Sequence, residues 1–74
     1  MARNTNQAES RNLYLTMVGD EPEVMFTTSL EEAARERSRT YRLREGEIVS
    51  VKIPFRDRWK DYQVGERPNI IHRI

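Results

Sequence analysis

The sequence predicts an α+β fold: a single helix packed on a three- to four-stranded, mostly antiparallel sheet, in the order ββαβ with a further strand in the tail. Three observations carry this. NLYLTMV and EIVSVKI alternate with the two-residue period of strands, while SLEEAARERSRTY carries small and apolar residues at helical spacing. GDEP and GERP supply turn residues between such segments.

Residues 1–11 have the composition of a flexible N-terminal arm, rich in Asn, Gln, Ser and Thr and without periodic apolar residues, and residues 12–74 form one α+β domain. In the first strand Leu13, Leu15 and Met17 point one way and Tyr14, Thr16 and Val18 the other. GDEP turns the chain, and EVMFTT returns it as a hairpin with Val24 and Phe26 beside the leucine face. Ser29 stands three residues before Glu32, the capping-box spacing in which each side chain satisfies the other's free backbone N–H, so a helix starts at Leu30. Leu30, Ala33, Ala34, Ser38 and Tyr41 make its inner side, small enough in the middle to lie close on a sheet.

Gly46 ends the segment. In the next strand Val49, Val51 and Ile53 oppose Ile48, Ser50 and Lys52, and Pro54 stops it. The tail FRDRWKDYQV admits a helical turn, a loop or a fourth strand in residues 59–65 with Tyr62 and Val64 on one face, and NIIHRI admits a last short strand. With the helix on one face, the other would carry Tyr14, Thr16, Val18, Met25, Thr27, Ile48 and Ser50, covered by the arm, the tail or a partner.

Composition removes several functions. The single histidine, His72, lies near the chain end and is assigned to the surface, and without cysteine there is no disulfide or thiolate site. No metal and no cofactor is expected: Asp20, Glu21 and Glu23 lack the glycine and closing Glu of a calcium loop, and three scattered glycines make no phosphate cradle. Glu32 and Glu36 share a helix face, but without an apolar pocket nothing separates their pKa values for acid–base work. The chain is therefore read as no enzyme, and a chain this short makes a homodimer or tight docking on a partner more important. No segment has the ~20 apolar residues of a membrane span.

The net charge of +1, from 13 bases and 12 acids, hides a polarised distribution. Asp20, Glu21, Glu23, Glu31 and Glu32 precede a run of arginines from Arg35 to Arg44. On the helix, Glu31 with Arg35, Glu32 with Arg35 and Glu36 with Arg39 have the spacing of stabilising pairs, so its charges are first of all those of a solvated helix. As a partner site, the acids would meet basic residues of a nucleic-acid-binding protein in place of phosphates, the hairpin and helix start acting together. FRDRWKDY surrounds the only tryptophan with bases, so Arg56, Arg58, Trp59 and Tyr62 are the second set of contact candidates. Phe55 and Trp59 also have a structural reading, as core for a chain short of it. A competing class is direct nucleic-acid binding through Arg35, Arg39, Arg42, Arg56, Arg58 and Lys60.

The hairpin followed by TSLEEAARERSRTY and EGEIVSVKIPF, residues 13–55, resembles small bacteriophage inhibitors of host machinery. These are anti-CRISPR proteins with a strand-strand-helix-strand plan and the small phage inhibitor of bacterial RNA polymerase. The resemblance implies a non-catalytic protein in the bacterial cytoplasm that occupies a functional surface of a host protein or ribonucleoprotein complex. It carries over no individual contact residue, and the RDRWKDY segment has no counterpart in the pattern.

Overall fold

The computed structural model describes residues 10–74. The elements are β1 (Asn12–Val18), β2 (Glu21–Thr27), α1 (Leu30–Tyr41), β3 (Ile48–Lys52), β4 (Lys60–Val64) and β5 (Ile71–Arg73). They build one helix on a five-stranded sheet of order β2-β1-β3-β4-β5, every neighbouring pair antiparallel. The expected α+β architecture is present with one strand more than the three or four anticipated. NIIHRI supplies it by pairing Val64 with Ile71 and Gln63 with His72, so the tail extends the sheet and covers no face. Nine residues of the proposed arm lie outside the described residues; Ser10 and Arg11 are exposed and precede β1.

The first turn is tighter than GDEP. Val18 faces Glu21 across a two-residue loop, and Gly19 supplies the positive φ of 62° that type II′ hairpins require at their first central position. From that closing pair the hydrogen-bonded pairs alternate, which turns the backbone groups of Pro22 outward on the edge strand. A proline there costs no ladder bond.

Ser29 caps α1, its Oγ accepting from the Glu32 N–H at 3.0 Å. The reciprocal half of the capping box gives way to ion pairs, because the Glu32 carboxylate is held by Arg35 at 2.6 Å and Arg39 at 3.4 Å. At the other end Arg42, not Gly46, closes the helix. It adopts a left-handed conformation (φ 51°), and the Arg42 and Leu43 N–H groups return to the carbonyls of Arg39 and Ser38, a Schellman arrangement that satisfies the last carbonyls.

The face covered by the helix is opposite to the one expected. Tyr14, Thr16, Thr27, Val49, Val51, Tyr62, Val64 and Ile71 are buried with Ala33 and Ala34, and Val18, Met25 and Leu30 pack at the margin. Register explains the exchange: Thr16 faces Val51 and Met17 faces Ser50, so the valines of β3 lie with Tyr14 and Thr16, not with the leucines. Leu13, Leu15, Met17, Val24 and Phe26 are left on the open face, whose other half carries Ser50, Lys52, Asp61, Gln63 and His72.

Arg37, which charge patterning places in solvent, is 3% exposed between helix and sheet. Its Nη1 donates to Thr16 Oγ1 at 2.9 Å and its Nη2 to the Glu21 carbonyl at 3.0 Å, while the Thr16 hydroxyl donates onward to the Glu23 carbonyl at 2.7 Å. The guanidinium lies 4.7 Å from the Tyr41 ring centroid, where a cation–π contact offsets some of its lost hydration. Pairing of donors makes a buried charge tolerable; here Nη1 and Nη2 are met while Nε has no hydrogen-bond partner.

Candidate binding surface

The chain direction decides which charges can act together. β1 runs toward the Gly19–Asp20 turn, β2 runs back, and α1 starts where β2 ends. Asp20 and Glu21 therefore sit at one end of the sheet and the helix start at the other, about 20 Å away for a seven-residue strand. The acidic hairpin and helix start do not form one patch. Glu31 and Glu32 are moreover engaged by Arg35, at 2.9 Å and 2.6 Å. Glu23 holds the Tyr41 hydroxyl, whose pKa it raises, chiefly by that hydrogen bond. Of the five acids only Asp20 and Glu21 extend from the hairpin tip with carboxylates uncommitted to any of these contacts.

The helix arginines are similarly occupied. Arg35 adds to its two carboxylates a bond from Nε to the Asn69 carbonyl at 3.1 Å, tying α1 to the β4–β5 loop. Desolvation lowers its pKa, but the paired Glu32 and Glu31 outweigh that and leave it raised. Arg39 is held by Glu32, and Arg42 is the helix terminator. The arginine-rich helix asked about by the sequence is thus largely internal wiring.

Residues 53–60 differ. The Arg56 N–H donates to the Ile53 carbonyl at 3.1 Å, closing a turn with Pro54 and Phe55 at its centre. Phe55 has φ 73°, the sign type II turns require at their third residue and normally fill with glycine. It is also fully exposed, at 103%. A bulky residue in that region is a true outlier, costing about 1–2 kcal/mol.

Two open hollows flank the turn. One, of about 580 Å³, is lined by Leu13, Phe26, Ile53 and Phe55; the other, of about 380 Å³, by Leu30, Ile53, Arg56 and Arg58. Trp59 is 40% exposed, with the Lys52 ammonium 5.1 Å from its ring centroid. Arg56, Asp57, Arg58 and Lys60 line the second hollow together, three bases against one acid.

Of the sequence candidates in this region, Arg56 and Arg58 line one hollow, while Trp59 stands against Lys52. Tyr62 does not: at 5% exposure it points under the helix and belongs to the core, because β4 alternates and Tyr62 pairs with buried Val49. Phe55, read as core, is the residue that sequence reasoning missed. Its signal was the dipeptide Pro54-Phe55 directly after a strand, where a turn would ordinarily show proline followed by glycine.

These features define an α+β protein with a basic, aromatic-bearing turn on a sheet whose second face is open. No family model, no curated protein and no solved structure matches this chain. No helix of the described residues is long and apolar enough to cross a membrane.

Proposed function

We propose that this chain acts by binding and not by catalysis, as an inhibitor that covers a functional surface of a bacterial macromolecular complex. The observation that carries the reading is Phe55. A fully exposed aromatic side chain at positive φ, where glycine would relieve the strain, is a local cost retained at a site set for contact. Aromatic and arginine side chains are the commonest binding anchors, and Phe55, Arg56, Arg58 and Trp59 occur within five residues. The partner surface is an apolar recess with an acidic rim. Charge steers the encounter and the ring supplies the buried contact.

Within that reading we place the protein with the anti-CRISPR type in the cytoplasm of a host bacterium, on the resemblance of residues 13–55, with host RNA polymerase as the alternative target. The acids Asp20 and Glu21, at the far end of the sheet, would make a separate contact with basic residues of a nucleic-acid track.

Substituting Phe55→Gly tests the anchor. The variant is expected to be as stable as the parent or more stable by about 1 kcal/mol, the positive-φ strain being offset partly by the entropy of glycine. It should lose capture of its bacterial partner and protection of a phage against CRISPR immunity. Full protection by the variant would overturn the reading.

A second reading, direct binding of single-stranded nucleic acid, is favoured by Lys52 against Trp59 beside Arg56 and Arg58, the combination that stacks bases and tracks phosphates. It requires oligonucleotide affinity that falls steeply with salt, and the absence of binding at low salt would exclude it.

A further inference from the structure

The covered face buries Tyr14, Tyr62 and Ile71 among valines, threonines, alanines and Ser38. Most of the large aliphatic side chains of β1 and β2, and Phe26, face the other way. Leu13 stands opposite Phe26, Leu15 opposite Val24 and Met17 opposite Pro22, so six apolar residues share one half of the open face with no charge among them. Phe26 is 61% exposed and Leu13 and Val24 are each 53% exposed.

We propose that this half of the open face is a homodimer interface, packed face to face on the same half of a second copy. Area supports that occupant. Taking about 200 Å² for a phenylalanine and proportionately less for the aliphatics, the patch exposes on the order of 350 Å² of apolar surface. The smallest specific interfaces bury roughly 600 Å² per partner, of which slightly more than half is apolar, so the two quantities match for a weak dimer.

Charge supports it too. An isologous contact sets a patch against itself, and six apolar residues do so without repulsion; Lys52, opposite Leu15, stands at the margin, while Arg56, Arg58 and Lys60 line a separate hollow with Leu30. Packed sheets approach to about 10 Å with interdigitating side chains, for which Leu, Met, Val and Phe on adjacent strands are suited. Among the described residues no segment covers it: β5 takes the tail into the sheet edge, and the sequence between Met1 and Asn12 has no large apolar side chain. Leu13 and Phe26 also line the hollow beside Phe55, so the patch adjoins that turn at one edge without including it.

Sedimentation equilibrium of the full chain from about 10 μM to about 1 mM, the range for a weak dimer, reads it directly. The mass is expected to rise from 8.8 kDa toward twice that value. Leu13→Glu and Phe26→Glu, at exposed positions, should each hold the mass at one chain with an unchanged circular dichroism spectrum, and Phe55→Gly should dimerise like the parent. One-chain mass at every concentration overturns the proposal, as does a dimer that survives both glutamate substitutions. A glutamate variant that loses the dimer and keeps partner capture supports the proposal, and loss of the dimer in Phe55→Gly, outside the patch, overturns it.

Discussion

The two faces of the sheet differ in what they bury: the covered face holds two tyrosines among small side chains, and most of the large aliphatic residues of β1 and β2 lie on the open one. Under the helix lie Val49, Val51, Val64, Thr16 and Thr27, together with the guanidinium of Arg37; on the open side lie Leu13, Met17, Val24 and Phe26. The covered face is closed by fit. Ala33, Ala34 and Ser38 bring α1 close on the sheet, and Arg37 with Thr16 pairs some of the polar groups this traps, leaving Thr27 Oγ1, Ser38 Oγ and Arg37 Nε without partners. The open face holds apolar surface that helix contact leaves untouched. Hydrophobicity alone does not select the face a helix covers. Chain connection and strand register do.

The contrast is broken most severely at Arg37. Arg37→Ala removes the donors to Thr16 Oγ1 and the Glu21 carbonyl and opens a cavity beside Tyr41. Urea unfolding is expected to show a loss of about 2–4 kcal/mol, with Arg37→Met recovering part of it. A change below about 0.5 kcal/mol, as for ordinary surface sites, would place Arg37 outside the core network.

Next in size is a matched pair. Val51→Ala under the helix is expected to cost about 1.5–3 kcal/mol, whereas Leu13→Ala, the larger truncation, should stay within about 0.5 kcal/mol in dilute solution. Equal losses would mean that the open face is not open in the free chain.

The smallest effect is alkaline. Burial raises the pKa of Tyr62 above its ordinary value, partly opposed by Arg73. The native state therefore keeps a proton that the unfolded state releases, so stability is complete below about pH 10 and declines as pH rises through the folded value. Tyr62→Phe should flatten that decline in urea midpoints taken from neutral to strongly alkaline pH. An unchanged slope would assign it to other groups, Tyr41 first among them.

Much of the fold was legible in local chemistry. Ser29 before an acidic first turn marked the helix start, and the alternation in β1 and β3 marked strands and divided their residues into two sets. The turn was visible in Gly19. The site was less legible. Arg56, Arg58 and Trp59 were marked by their neighbours in sequence; the two arginines line one hollow and Trp59 meets Lys52. The acidic cluster was an artefact of counting along the chain, since a strand of seven residues separates its two parts. Tyr62 and Phe55 changed places, the tyrosine going inside and the phenylalanine out.

By itself the sequence determined the helix with its N-cap, the first three strands and the two side-chain sets of each, because these depend on neighbours within a few residues. Which set the helix covers, which arginine is buried and which charges share an end were decided only in the tertiary structure. They depend on how β3 registers against β1 and on the direction of a crossover, and pairing between residues some thirty-five positions apart leaves no mark in the local pattern.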